Sequence, residues 1–301
     1  MRVLISKHVF AEAQPGVYRH TTISWAICEP DQSHLLKHRL DDCFRSASRQ
    51  ADSLRLNGYR EPELGDRCGF SLAFQSDASF WEYITKHDPV RGENFNKAMK
   101  SVQINSLSDI PNLYPFDSLA ETGGLIVDVG GGHGQVSRAI LANYPNSYLR
   151  CVVQDRFVAS LPTADANGSQ TSEVGKVGTG SVTFEKHNFF DPQPIKGAAA
   201  YFFRHIFHDW PDSACREILK QTVLAMDTQS RILICDQIVD EKSSSVHSML
   251  YDLDMMSLFG GKERRLSEWE ALITEADKRL RITDTKKSSN SPTTILEIRL
   301  G

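Results

Sequence analysis

The chain has no Cys-x-x-Cys pair: Cys28, Cys43, Cys68, Cys151, Cys215 and Cys235 are scattered along it. Several sit inside apolar strand or helix patterns. They read as reduced, buried thiols, which argues against a disulfide framework or a structural zinc site, and no metal is expected. A basic excess is also missing. The net charge of -4 and pI near 6.2 give no general attraction to nucleic acid or anionic lipid, so neither partner is expected. Long hydrophobic runs are absent as well. The apolar start of "MRVLISKHVF" is cut by Lys7 and His8, and nothing later approaches a membrane span, so the expectation is a cytoplasmic protein away from the membrane. There are no internal repeats. What is present is length and apolar content: 301 residues, 40% of them hydrophobic, enough for one large domain and a smaller one.

The first third is polar and Arg-rich, with helical spacing and little β-pattern. From Gly124 onward, short apolar runs ("LIVDVG", "YLRCVVQD", "VTFEKHNFF", "AAAYFFRHIF", "RILICDQIV") alternate with amphipathic stretches. Strands alternating with helices predict an α/β fold, a doubly wound, mostly parallel Rossmann-like sheet covered on both faces. After Pro211, the spacing of Cys215, Ile218, Leu219, Thr222, Val223 and Met226 predicts one helix. Ser267 and Glu270 match a capping box opening another. The two β-runs of "RLRITDTKKSSNSPTTILEIRL" predict a C-terminal antiparallel hairpin, and the Gly/Ser/Thr-rich stretch 162–181 reads as a surface loop.

The most informative stretch is "IVDVGGGHGQ". A strand running straight into glycines and then a helix offers bare backbone amides to a ligand. The spacing of Gly130, Gly132 and Gly134 is G-x-G-x-G, whereas dinucleotide enzymes prefer G-x-G-x-x-G. Asp128 precedes the turn, where it would repel a pyrophosphate and suit an ammonium. Asp155 closes "CVVQD", where a carboxylate can accept both ribose hydroxyls. A nucleoside carrying a cation satisfies both acids, and S-adenosylmethionine is such a molecule.

Together with "HNFFDPQP", "FRHIFHDWPD", "ILICDQIV" and "DLDMMSLFGGKERRLSEWEALITEA", these pieces make the chain resemble the plant-type and fungal S-adenosylmethionine-dependent O-methyltransferases. The resemblance spans nearly all of 124–276. It implies that Gly130, Gly131 and Gly132 line the methionine end, that Asp155 holds the ribose, and that Asn188 and Phe189 flank the adenine. In place of Asn188 the family usually has Asp. Arg204 stands where plant members carry a Lys near the cofactor. His208 is implied to be the general base, oriented by Asp236 and Glu263 in place of the family's two glutamates; Asp236 is one methylene shorter. At the end of the fourth strand Arg204, Ile206 and His208 share a face, so His208 is expected to point with Arg204 toward the C-terminal edge of the sheet. Asp209 or Asp212 reads more simply as a helix cap. His205 reads as structural, and Trp81 and Trp210 as packing residues. Met249, Met255, Met256 and Phe259 fit either an aromatic acceptor pocket or ordinary core.

Proton affinity selects the acceptor. Moving a proton from a phenol to an ordinary imidazole costs about 5 kcal/mol, against about 12 kcal/mol from an aliphatic alcohol. A phenolic or enolic hydroxyl on an aromatic or polyketide-like molecule is therefore expected. "HVFAEAQPGVYRHTT" looks like the β-wing of the family's winged-helix N-terminal domain, which assigns 1–112 to a partial dimerisation-type region and 113–301 to the catalytic domain. The resemblance implies a homodimer, an expectation that the shortened N-terminal region weakens. Two other functions share these features: a dehydration or pericyclic rearrangement run with bound cofactor, and a non-catalytic cofactor-binding remnant.

Overall fold

The computed structural model describes residues 1–63, 67–104, 107, 109–156, 175–177, 180–240 and 245–301. It begins with a short helix and an antiparallel hairpin, β1 (Phe10–Gln14) and β2 (Val17–His20), at the place of the expected β-wing. The helices Thr22–Cys28, Pro30–Lys37, Gln50–Leu56, Gly69–Phe74 and Pro89–Ile104 follow.

From there strands and helices alternate. The strands are β3 (Leu125–Val129), β4 (Arg150–Asp155), β5 (Gly175–Val177), β6 (Gly180–Lys186), β7 (Ala200–Arg204), β8 (Arg231–Gln237), β9 (Leu280–Lys287) and β10 (Thr293–Leu300). They form one 8-stranded sheet in the order β5-β6-β4-β3-β7-β8-β10-β9. The run β6-β4-β3-β7-β8 is parallel, and antiparallel strands close both edges. The C-terminal hairpin is present, with β10 inserted between β8 and β9. The chain goes from β3 to β4 on one side and later returns to β7 on the other. This reversal opens a crevice beyond the carboxyl ends of β3, β4 and β7, the place where open α/β sheets bind ligands.

The sheet is buried on both faces, which is why its strands read as unbroken apolar runs. Ile126, Cys151, Val153, Phe202 and Leu233 pack one way, with Val136, Ile140 and Leu141 of the helix Gln135–Asn143. Val127, Val129, Phe203, Ile232 and Ile234 pack the other way, against the helices Asp212–Val223 and Leu266–Ala276. Cys215, Ile218, Leu219, Thr222 and Val223 are all buried, as their spacing predicts; Met226 lies beyond the helix end. A third core joins Phe70, Phe80 and Phe95 to Met255, Leu258 and Phe259 of the helix Val246–Phe259, so the regions before and after residue 112 share packing.

Two local expectations differ from the structure. The helix Leu266–Ala276 is capped at Arg265, whose N–H donates to Glu268 Oε2 at 2.8 Å, and not at Ser267 with Glu270. The residue before this cap, Arg264, is fully buried. Within 162–181, Gly175–Val177 and the start of β6 pair as an antiparallel edge; residues 162–174, 178 and 179 lie outside the described residues. None of the six cysteines is in a disulfide, and only Cys28 is exposed. Among the described residues no helix is long and apolar enough to cross a membrane.

Ile234 is fully buried at the centre of β8. Ile234→Ala is expected to lower unfolding stability by about 2–5 kcal/mol through lost contacts and a residual cavity. Urea denaturation should show a lower midpoint with an unchanged m-value.

Candidate active site

The glycine turn exists because backbone must pass where side chains cannot. Gly130 has φ 74°, and a Cβ there would lie 2.4 Å from Ile206 Cδ1. The positive φ is what favours glycine here, where the end of β3 lies against the Ile206 side chain of the loop after β7. The amides of Gly130 and Gly131 donate to Gln154 O at 2.7 and 3.3 Å, fastening the turn to β4. Gly132, at φ 55°, has nothing within 4 Å of its Cβ position, so bare backbone faces open space. Its N–H donates to Asp155 Oδ2 at 3.1 Å. Gly134 precedes the helix Gln135–Asn143 and packs tightly on Val153 and Phe184.

Asp128 lies beneath this turn and does not line the cleft. It is 3% exposed and accepts from Ser137 Oγ at 2.6 Å. Burial pushes its carboxyl up to about 6, against the opposing effect of the Ser137 bond. The acid expected to face an ammonium instead braces the loop and the helix behind it.

Of the residues named from the sequence, Gly130, Gly132, Asp155, Phe189, Arg204 and His208 border one cleft. Gly131, Gly134, Asn188, Asp236 and Glu263 support it from behind or beside. The carbonyl of Asn188 accepts from the Asp191 amide at 2.8 Å, and Phe189 meets Trp210 edge-on at 5.9 Å. Trp81, Phe95, Met255 and Phe259 wall the far end, while Met249 and Met256 are not part of it. Trp81 lies flat on Phe259 (5.4 Å, 9°) and near-parallel to Trp210 (6.3 Å, 18°). The two tryptophans read as packing residues thus also form cleft wall.

His208 reaches the cleft by a route the sequence did not indicate. β7 ends at Arg204, His205 takes a left-handed φ of 51°, and Phe207–Asp209 forms one 3-10 turn. His208 therefore leaves a turn, and the strand face shared with Arg204 and Ile206 is not formed. The segment Gly260–Arg264 grips this turn. The Arg264 guanidinium donates to Phe207 O and Trp210 O, each at 2.9 Å, and to Asp212 Oδ1 at 2.7 Å. Asp212 is accordingly a partner of Arg264, and the helix cap is Pro211. A Cβ on Gly261 would lie 2.0 Å from His208 O, so the grip requires glycine.

The same segment delivers the acid. The Glu263 amide donates to Asp252 Oδ1 at 2.8 Å, and Glu263 Oε1 lies 2.8 Å from His208 Nδ1. Asp209 Oδ1 is 3.5 Å from His208 Nε2. Burial by itself opposes the charged ring, but the Glu263 and Asp209 carboxylates outweigh it and raise the His208 pKa to about 10. Asp209, pushed up to about 7 by burial, is a site residue that cap reasoning concealed. Asp236 does not pair with His208. Both of its carboxylate oxygens are buried without a hydrogen-bond partner, and Oδ1 lies 3.8 Å from Nδ1 of His205. Glu263 is the acid bonded to His208. His205, read as structural, lines the cleft. Arg264 and Gly261 also escaped the sequence reading, although "GGKER" carries their only local signal: a glycine pair followed by charges in an apolar context.

A doubly wound sheet with a glycine turn after its first parallel strand and a His–Glu pair across the crevice defines a nucleoside-dependent group-transfer enzyme. Residues 60–278 match the O-methyltransferase domain family. The O-methyltransferase asqN of Emericella nidulans is 56% identical over 301 residues, covering 100% of both chains. OxaC, solved with SAH and oxaline, superposes with TM-score 0.85 at 27% identity over 100% of this chain and 74% of its own. A structure described as a pericyclic reaction enzyme gives TM-score 0.80 at 25% identity over 100% of this chain and 75% of its own. The chain belongs to the O-methyltransferase domain family. It is an S-adenosylmethionine-dependent enzyme of the kind represented among fungal secondary-metabolite O-methyltransferases.

Gly261→Ala is expected to displace the His208 turn and cut kcat by about 100-fold, as misplacing a reacting group by about 1 Å does. Steady-state kinetics beside calorimetry with S-adenosylhomocysteine should show the turnover loss without a matching loss of cofactor affinity.

Proposed function

We propose that this enzyme methylates a phenolic or enolic hydroxyl of a small aromatic or polyketide-like molecule, with His208 as the general base. The observation that carries this reading is the 2.8 Å bond between His208 Nδ1 and Glu263 Oε1, on a cleft walled by aromatic rings next to the glycine turn.

The cofactor fits the residues present. Open space over Gly132 is a cradle that any side chain would fill, and it suits the methionine end, with Gly130 and Gly131 shaping it. Asp155, at the end of β4, suits the ribose hydroxyls. The turn at Asn188 and Phe189 suits the adenine, with the Phe189 ring lining the cleft. Arg204 contributes positive charge at the cleft wall, and Asp128 and Gly134 keep the turn in shape. When bound, the cofactor supplies an electrophilic methyl group on a sulfonium.

The protein's own contribution is proton transfer and alignment. Glu263 fixes the tautomer that leaves Nε2 of His208 free to accept a proton. Because neighbouring carboxylates bring the ring to a pKa of about 10, it matches a phenol. An aliphatic alcohol would still cost about 8 kcal/mol. The aromatic walls exclude water and orient the ring, which favours a reaction whose partners lose charge as they combine.

His208→Ala is expected to reduce transfer of labelled methyl to phenols by about 100-fold or more, with adenosylhomocysteine affinity retained. Rearranged product without label would instead identify a pericyclic or dehydrating enzyme, and binding without turnover a non-catalytic protein. The pH dependence is a second check. The charged ring is the favoured form below its pKa, and the base is the neutral one. The value of kcat/KM should therefore rise with pH towards about 10, well beyond the range of an ordinary imidazole. Glu263→Gln removes the strongest partner raising that pKa, so the midpoint of the rise should move down by about 1–3 pH units.

A further inference from the structure

The cleft holds a second imidazole that the mechanism above leaves unused. His205 and His208 are tilted rings with centroids 5.1 Å apart. The His205 side chain is 34% exposed to the cleft, against 7% for His208. Its Nδ1 is buried without a hydrogen-bond partner, facing Asp236, whose two oxygens are equally unpartnered. The 3.8 Å separation is too long for a bond, but contacts of this kind often tighten only when substrate is present. A left-handed φ of 51° on a non-glycine residue holds the ring in this position, a strain of the sort concentrated at functional sites.

We propose that His205, positioned by Asp236, is a specificity residue that binds a second hydroxyl on the acceptor, next to the one methylated. The enzyme would thus prefer acceptors with two neighbouring oxygens in an ortho or peri arrangement. This inference rests on the methyl-transfer reading above and names its substrate class.

With Nδ1–H turned to Asp236, Nε2 of His205 becomes a hydrogen-bond acceptor on the open side of the ring. Burial first, then the neighbouring Arg204 and His208, holds its pKa well below the ordinary value, so it accepts a hydrogen bond rather than donating one. His208, meanwhile, takes the proton of the oxygen that is methylated. Two rings at this spacing can each engage one of two adjacent oxygens, whereas a monohydroxy ring leaves Nε2 of His205 without a donor. Sites built to pair a substrate hydroxyl discriminate against analogues that lack it, because a desolvated polar atom is then left unmatched.

The test uses catechol and phenol as probes with labelled S-adenosylmethionine, and calorimetry of both on the adenosylhomocysteine-loaded protein. Wild type is expected to favour catechol by about 10–100-fold in kcat/KM and to bind it more tightly. In His205→Leu, and in the ring-preserving His205→Phe, the catechol-to-phenol ratio should fall to near one, and Asp236→Ala should lower it in the same direction. An unchanged ratio in both His205 variants, or no catechol preference in wild type, overturns the proposal. No methyl transfer from any probe would overturn the methyl-transfer reading and this proposal with it, whereas transfer with equal catechol and phenol rates overturns this proposal alone. If chelator removed the activity and zinc restored it, His205 and Asp236 would be metal ligands and the proposal would fail.

Discussion

The buried hydrogen bond between His208 and Glu263 is the constraint around which the rest of the site is arranged. It joins a turn after β7 to a segment more than fifty residues later, so it exists only if both are held rigidly. Arg264 does most of the holding. Its buried guanidinium donates to a carbonyl of the His208 turn, to the carbonyl just after it and to the partly exposed carboxylate that opens the next helix. Gly261 permits the contact by having no side chain. Removing one partner from such a network leaves other polar groups buried and unmatched, so the energetic cost is shared among them.

The sheet explains why that bond faces a ligand. Its order reverses between β4 and β7 on either side of β3, and the crevice at the reversal receives the glycine turn from one side and the His208 turn from the other. Gly130 against the Ile206 side chain is where the two turns meet. The helix Val246–Phe259 then brings Met255 and Phe259 across from the aromatic cluster of Trp81 and Phe95, so this wall of the cleft is built from segments far apart in the chain. The acids sort themselves by reach: Glu263 touches His208, and the shorter Asp236 stands beside His205.

The parallel sheet, the helix after Pro211, the glycine turn and the terminal hairpin were legible in the sequence because each depends on periodicity or on a local backbone requirement. Asp155, Phe189 and His208 border one cleft for a related reason: strand ends in this topology converge on one crevice. The misplaced details share a different cause. The strand face assumed for His208 fails because His205 breaks β7 with a left-handed residue, and no pattern of neighbours marks that break. Asp128 sits beneath its loop because Ser137, nine residues later, claims its oxygen. Asp209 and Asp212 looked alike as helix caps, yet one faces His208 and the other Arg264.

The sequence alone determined the class of fold, the glycine turn after β3 and the placing of His208 on the same cleft, since these follow from hydrophobic period, glycine spacing and strand-end position, all local along the chain. Which carboxylate serves which histidine, which aromatic rings form the cleft and what pins the His208 turn were decided by tertiary structure. Those relations join residues far apart in sequence, and a difference of one methylene or one backbone angle sets them.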